Sequence, residues 1–367
     1  MKILIASGGS GGHIFPAISL ARELKKRGAE IIFVASRRRL DRAILEKEPY
    51  KKIFLSVNPM PYKFGPGVFG FIFKLALDLF ASFAVIVRYR PEAVIGFGGY
   101  TSGEIVMLAS FMKAKTVIHE QNVIPGRTNR LLDRFAGSVA LSFPETGKYF
   151  SNRNIIITGN PLREESLKKT GTDRFGDFKL DAGRLTVLVM GGSQGASSLN
   201  RLVSESAALF TEAKKKRLQI IHIAGMKKTG EIQKHYDEDG IRARVYTFLL
   251  NINEAYSASD IVISRSGAAA VFEIAAFKKP MILIPFPGEK NNQRFNALYF
   301  AERNAAIYRD EKNLRPEELR GLIEDLVDNP VRRRELSENA GKLSVVDGAR
   351  KLAELVWKQV SPSGAVS

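Results

Sequence analysis

Two segments far apart in this chain carry the same signature, and it constrains the fold more than any other feature. Ile3-Leu4-Ile5-Ala6-Ser7-Gly8-Gly9-Ser10-Gly11-Gly12 is an apolar run ending in glycines, and Val187-Leu188-Val189-Met190-Gly191-Gly192-Ser193-Gln194-Gly195 repeats it in the second half. A continuous apolar run of this kind reads as a strand covered on both faces, as in a parallel sheet flanked by helices. Glycines directly after it allow a tight turn into a helix and leave backbone N–H groups aimed at whatever sits on the sheet edge. Two such units predict two Rossmann-like, doubly wound α/β domains. In such sheets ligands bind outside the carboxyl ends of the strands, so a cleft between two facing domains is the expected site.

The rest of the chain continues the pattern, with short β-branched runs alternating with longer amphipathic stretches. Strands are expected at residues 2–6, 30–35, 52–55, 93–96, 115–118, 138–141 and 154–158, then at 185–190, 219–224, 243–248, 261–264 and 281–285. Helices are expected at 16–27, 198–213, 268–277, 292–303, 316–328 and 349–360. The polar stretch 164–183 lacks periodicity and reads as a linker. A length of 367 residues suits two cores better than one. We expect an N-terminal domain over 1–163 and a second over 164–344, with a helix in 345–367 placed to pack back on the first.

Composition removes several classes. The chain has no cysteine, which excludes disulfides, thiolate metal sites and a cysteine nucleophile. Only four histidines, at 13, 119, 222 and 235, are available for a metal centre, and none is expected. Asp237-Glu238-Asp239 has the form of a metal-binding Asp-x-Asp motif but lies in a polar stretch and reads as solvated. Met1-Lys2 runs straight into the first strand with no secretory signal, so the expected address is cytoplasmic. The net charge is +18, and residues 1–160 hold 23 Lys/Arg against 11 Asp/Glu, so the first half is the side expected to meet an anionic partner.

The glycine loop Gly8–Gly12 suits phosphate or a developing anion. It is not a Walker A loop, since no Gly-Lys-Ser/Thr follows, and Ile14 stands where the dinucleotide fingerprint requires glycine. His13 follows the loop at the start of the expected helix, where the helix dipole favours a neutral ring able to accept a proton. Gly96-Phe97-Gly98-Gly99-Tyr100-Thr101-Ser102-Gly103 and His119-Glu120-Gln121-Asn122 gather further polar groups at neighbouring strand ends. In the second half, Gly191–Gly195 and Ser264-Arg265-Ser266-Gly267-Ala268 offer amides, hydroxyls and a helix start for a diphosphate. Glu273 is placed to accept two ribose hydroxyls, and Asn292-Gln293-x-x-Asn296 offers amides for sugar hydroxyls.

Taken in order, Gly8-Gly9-Ser10-Gly11-Gly12-His13-x-x-Pro16-Ala17, Gly98-Gly99-Tyr100-x-Ser102-Gly103, His119-Glu120-Gln121-Asn122, Gly159-Asn160-Pro161-x-Arg163, Gly191-Gly192-Ser193-Gln194-Gly195, Ser264-Arg265-Ser266-Gly267-Ala268 and Gln293-x-x-Asn296-Ala297 resemble the MurG family of N-acetylglucosaminyltransferases. The likeness runs from residue 3 to about 300. It implies a GT-B fold and inverting transfer of N-acetylglucosamine from UDP-N-acetylglucosamine to the 4-hydroxyl of the N-acetylmuramoyl unit of undecaprenyl-linked lipid I, making lipid II for peptidoglycan. By motif position it implies donor binding by Ser10, Gly11, Gly12, Asn122, Arg163, Ser193, Leu249, Ala268, Ala269, Ala270, Val271, Phe272, Glu273 and Gln293. Acceptor binding falls on Gly98, Gly99, Tyr100, Ser102 and His119, with His13 as base and Asn122 orienting substrate. UDP-N-acetylglucosamine is a substrate, and no cofactor or metal is expected. Other cell-wall synthesis proteins are the expected protein partners. Ser10 stands for the family's more usual threonine, and Glu104 stands where its pattern leads to proline.

Three rivals are weaker. An NADP-dependent oxidoreductase is suggested by Arg37-Arg38-Arg39 at the end of the second strand but lacks the fingerprint spacing. A nucleic-acid-binding protein is suggested by the charge, yet no recognisable module carries it, so no specific nucleic acid is expected. A GT-B enzyme acting on another lipid, such as diacylglycerol, is the nearest competitor. Phe64, Phe69, Phe71, Phe73, Phe80 and Phe83 lie in a long apolar segment interrupted by Lys74 and Asp78 and flanked by Lys63, Arg88 and Arg90. The internal charges argue against a spanning helix. A peripheral helix seated among anionic lipids of the inner membrane's cytoplasmic face is expected instead.

Overall fold

The protein is described from a computed structural model that covers residues 1–9, 11–56, 67–167, 178–191, 196–225, 229–249, 251–288 and 292–361, with side chains 67–73 left out. Ser10 and Ser193 lie outside the described residues, as do the side chains of Phe69, Phe71 and Phe73. Two compact units are present, one formed by Met1–Arg163 with Val346–Ser367 and the other by Glu164–Val345.

The first unit is built on β1 (Lys2–Ala6), β2 (Glu30–Ser36), β3 (Lys51–Leu55), β4 (Ala93–Gly96), β5 (Lys115–Glu120), β6 (Ser138–Leu141) and β7 (Ile155–Ile157). These pair in the order β3-β2-β1-β4-β5-β6-β7, all parallel. The second unit holds β8 (Leu185–Met190), β9 (Leu218–Ile223), β10 (Ala243–Tyr246), β11 (Ile261–Ser264), β12 (Met281–Leu283) and β13 (Ile307–Tyr308) in the order β10-β9-β8-β11-β12-β13, also parallel. Strand order therefore reverses beside β1 in one sheet and beside β8 in the other. Crevices for ligands open at such switch points. The two repeated motifs end at these strands.

In the first unit α1 (Gly11–Lys26), α2 (Arg39–Leu45), α3 (Gly67–Tyr89), α4 (Tyr100–Phe111) and α5 (Arg127–Leu132) cover the sheet. In the second are α6 (Glu164–Leu167), α7 (Ser197–Ala208), α8 (Glu212–Arg217), α9 (Thr229–Glu238), α10 (Ile252–Ala258), α11 (Ala268–Ala276), α12 (Gln293–Ala301), α13 (Pro316–Asp328) and α14 (Pro330–Leu343). The last helix, α15 (Gly348–Val360), returns to the first unit and adds Leu352, Ala353 and Val356 to the core of Ile3, Ile5, Ile14 and Leu20. Its first residue must be glycine, because a Cβ at Gly348 would stand 2.6 Å from the Asn160 carbonyl oxygen.

Several boundaries differ from expectation for physical reasons. The first helix begins at Gly11 rather than at residue 16, so Pro16 lies inside it and the usual bond to the Gly12 carbonyl cannot form. The helix expected over 198–213 is broken after Ala208, and Thr211 caps a new one by accepting from the Lys214 amide. Within the expected linker, Glu164–Leu167 is helical and Phe178 is buried. β13 is too short to leave a sequence pattern. The apolar segment forms a single helix, α3, whose Ser82, Val85 and Ile86 face inward while Leu77, Phe80, Phe83 and Val87 are exposed. Among the described residues, no helix is long and apolar enough to cross a membrane.

Candidate active site

At the first switch point, the turn after β1 meets the turn after β4. His13, in the first turn of α1, brings its Nδ1 to 3.1 Å from the Gly8 carbonyl oxygen. A carbonyl can only accept, so Nδ1 carries the proton and Nε2 holds the lone pair. The ring lies against Gly98 and Gly99, whose φ angles of +88° and +78° favour glycine. A Cβ at Gly99 would fall 2.8 Å from the Gly8 oxygen, and one at Gly98 would sit 3.5 Å from His13 Nε2. The two turns thus close on one another only because both lack side chains.

The neighbouring strand end is organised from beneath by buried groups. Glu120 is 2% exposed. Its Oε1 accepts from the Asn122 amide at 2.9 Å and Asn122 Nδ2 at 3.2 Å. Its Oε2 accepts from the Gly126 amide at 3.0 Å and Asn129 Nδ2 at 2.8 Å. Asn122 is consequently held half-exposed at the edge. His119 takes a different place from the acceptor contact expected of it. It is fully buried, its Nε2 donates to the Gly159 carbonyl, and its Nδ1 accepts from Gln121. Burial above all pushes its pKa down to about 4, against the opposing pull of its bond to the Gly159 carbonyl, so the ring is neutral scaffolding. Ser102 is corrected in the same way. It is fully buried, with Oγ 2.8 Å from the carbonyl oxygens of Ala6 and Gly98, and so it pins β1 to the β4 turn. Tyr100, by contrast, is exposed.

Arg163 stacks its guanidinium 4.8 Å from the Phe15 ring centroid, and Phe15 in turn lies beneath Gly11. This sets a fixed cation beside the amino end of α1, where backbone amides already favour an anion. Gly12 is exposed there. Asp41, which carried no signal in the sequence, lies under the same loop. It is fully buried, and its Oδ2 accepts from the Gly9 amide at 2.9 Å and from the Ser36 hydroxyl. Glu104 faces α3, where Ser82 Oγ donates to it at 3.3 Å. Desolvation, helped by the charge of Asp78, pushes its carboxyl up to about 7. The departure from the family pattern at this position therefore bears on the α3–α4 contact.

The second switch point is built differently. α11 starts where β11 ends, with Gly267 as its N-cap, so the amides of Ala268, Ala269 and Ala270 point off the sheet edge. Val271 and Phe272 turn into the core at 0% and 2% exposure, which leaves only their main chain for a ligand. Glu273 is also buried rather than on the helix surface, and Tyr256 donates to its Oε2 at 3.1 Å. Arg265 ties the edge together: it donates to the carbonyls of Ile284 and Pro285, to Ser198 at the start of α7, and through two nitrogens to Glu311. The hydroxyl and amide expected to read a ligand at Ser266 and Asn296 are instead turned inward. Ser266 donates to the Gln293 carbonyl, and Asn296 donates to the Ser266 carbonyl. Gln293 Oε1 accepts from the Phe286 amide at 3.1 Å, which draws the segment after β12 toward the start of α12. Leu249 is half-buried just past β10. Asp237 and Glu238 are exposed on the last turn of α9, and among the described residues no group of three acidic or histidine side chains is placed to hold a metal.

Residues 3–141 match the N-terminal domain of glycosyltransferase family 28, and residues 186–352 match its C-terminal domain. The chain is 35% identical over 353 residues to the "UDP-N-acetylglucosamine--N-acetylmuramyl-(pentapeptide) pyrophosphoryl-undecaprenol N-acetylglucosamine transferase" of Halothermothrix orenii, covering 94% of this chain and 95% of that one. It is 33% identical to the protein of the same name from Myxococcus xanthus, over 97% of this chain and 92% of the other. Among solved structures, Acinetobacter baumannii MurG superposes with a TM-score of 0.80 at 25% identity, covering 97% of this chain and 99% of that one. With two doubly wound units, both family 28 domains and near-full-length identity to these transferases, the chain belongs to the MurG family of GT-B glycosyltransferases.

Proposed function

We propose that this protein transfers N-acetylglucosamine from UDP-N-acetylglucosamine to the 4-hydroxyl of the N-acetylmuramoyl unit of lipid I, with inversion, forming lipid II. The near-full-length identity to transferases named for that reaction carries the reading. In the reaction, the acceptor oxygen attacks the anomeric carbon, the carbon–oxygen bond to the β-phosphate breaks, and UDP leaves with a new negative charge. His13 Nε2 takes the acceptor's proton, a role supported by the Nδ1 bond to Gly8, which leaves Nε2 as the free lone pair. The charge on UDP is met by Arg163 and by the amides at the start of α11. Glu273 accepts the ribose hydroxyls, Gln293 and Leu249 border the donor, and Asn122 orients substrate. Gly11, Gly12 and the Ser10 and Ser193 loops complete the donor contacts.

The first unit takes the lipid acceptor along Gly98, Gly99 and Tyr100, with Ser102 and His119 holding that edge from behind. It also sits on the cytoplasmic face of the membrane. Leu77, Phe80, Phe83 and Val87 form an exposed apolar stripe on α3, and Lys74, Arg88 and Arg90 are exposed beside it. Val87 and Arg90 share a surface depression with Met112, Lys113 and Lys115, which extends the mixed apolar and basic character. Such a surface suits an anionic leaflet. Replacing Phe80 and Phe83 with Ser should reduce co-sedimentation with anionic vesicles, and salt should do the same; binding indifferent to both would remove this reading. For the reaction itself, turnover with UDP-N-acetylglucosamine should occur with lipid I and not with diacylglycerol. Preference for diacylglycerol would move the chain to a different acceptor class.

A further inference from the structure

Beneath the first glycine loop, one peptide group is held at both ends. The Gly8–Gly9 peptide donates its N–H to Asp41 Oδ2 at 2.9 Å, and its carbonyl accepts the His13 Nδ1 proton at 3.1 Å. Carboxylate, peptide and imidazole therefore form a single hydrogen-bonded line. We propose that Asp41 is a positioning residue that acts on His13 through this peptide, fixing its tautomer and strengthening its Nε2 as a base.

The physical basis is polarisation along a hydrogen-bonded chain in a dry site. A carboxylate accepting an amide proton draws electron density toward the peptide's carbonyl oxygen, which then accepts more strongly from the imidazole. A better acceptor at Nδ1 favours the Nδ1–H tautomer and stabilises the cation that forms when Nε2 takes a proton. The surroundings keep the line straight. The Ser36 hydroxyl shares Asp41 Oδ2, and Arg38 donates to the next carbonyl, that of Gly9, at 3.3 Å. Gly8 cannot carry a side chain, since a Cβ would lie 2.9 Å from Asp41 Oδ2 and 3.3 Å from Thr101 Oγ1.

A merely structural tie explains this arrangement poorly. Asp41 is fully buried, and its Oδ1 has no hydrogen-bond partner among the described residues. Leaving a buried carboxylate oxygen unsatisfied is costly, and a neutral amide would hold the Gly9 N–H at lower cost. The negative charge is what the site retains.

This inference rests on His13 being the base, so the experiment separates the two. In ¹⁵N-labelled wild-type protein the ring nitrogens of His13, assigned by loss of its signals in His13→Ala, should report Nδ1 protonated. An Nε2–H tautomer in the wild type overturns the inference without any variant. Asp41→Asn keeps the size and one acceptor but not the charge. It should lower kcat about 10–100-fold with donor KM little changed, and shift His13 toward a mixture of tautomers. In the His13→Ala background the same substitution should have no further effect on kcat. If Asp41→Asn leaves kcat and the tautomer unchanged while His13→Ala is severely impaired, His13 remains the base and Asp41 is not its partner. If His13→Ala turns over normally, the reading of His13 itself has failed.

Discussion

The two switch points share a topology and diverge in what backs them. Behind β1, a buried carboxylate and a half-buried histidine sit on either side of one glycine peptide, and a second pair of glycines closes over the ring. Behind β8 and β11 there is no such pair among the described residues; a buried arginine bound to Glu311 braces three segments, and a helix start faces out. The first arrangement is suited to handling a proton, because it fixes a tautomer. The second is suited to holding a polyanion, because it offers aligned amides on a braced edge. One sequence signature thus opens onto two differently backed edges, and that difference is why the proton is proposed for the first and the polyanion for the second.

The strongest way to break this contrast is at His13. His13→Ala should lower kcat about 10²–10⁴-fold with a modest change in donor affinity, and steady-state kinetics with lipid I checks it. Near-normal turnover in a folded variant would put the base elsewhere. Turnover should also survive added chelator, since Arg163 and helix amides supply the charge stabilisation in this scheme.

The counterpart in the second unit is structural. Arg265 and Glu311 are 5% and 9% exposed in their side chains, so Arg265→Met strands a buried carboxylate. A loss of about 3–5 kcal/mol is expected, read as a fall in the denaturant midpoint of the second unit. A loss below about 1 kcal/mol would mean that the edge is braced by other contacts.

Acid sharpens the comparison further. Burial lowers the pKa of His119 to about 4 and of His222 to about 3, from 6.5 in each case. As pH falls below about 6.5 the unfolded chain takes up protons that the native state refuses, so each unit loses stability, by on the order of 3–5 kcal/mol at most once the pH reaches the folded values. Glu104 works in the opposite direction. Its carboxyl is pushed up to about 7 from 4.5, so the native state holds a proton that the unfolded state has released, and its contribution is lost as pH rises from about 4.5 through 7. Glu104→Gln should therefore stabilise the first unit modestly at pH 8 and steepen its acid sensitivity between pH 4.5 and 7. Unfolding curves identical to wild type across that range would show that the α3–α4 contact does not depend on this carboxyl.

The strands are legible because both sheets are covered on both faces, which leaves β1 after Lys2, β4, β6 and β11 buried throughout and mostly apolar. That same burial hid which side chains point to ligand. In β5 every residue after Lys115 is buried, so no alternation distinguished His119 as scaffold. Asp41 was invisible because its partner, Gly9, lies 32 residues away and its helix is rich in arginine. Arg265 stood in a motif that looked like a phosphate site, yet its partner Glu311 lies 46 residues on. Short elements such as β13 and the break at Thr211 depend on single contacts that leave no periodicity.

The division of labour between the two switch points is tested most directly by calorimetric titration of UDP into the wild type, His13→Ala and Glu273→Gln. The Gln substitution keeps an acceptor for Tyr256 while removing the charge offered to ribose. UDP affinity should be unchanged by His13→Ala and weakened by about 1.5–3 kcal/mol in Glu273→Gln. Equal weakening in both variants, or none in Glu273→Gln, would contradict the assignment of the proton to His13 and of the ribose to Glu273.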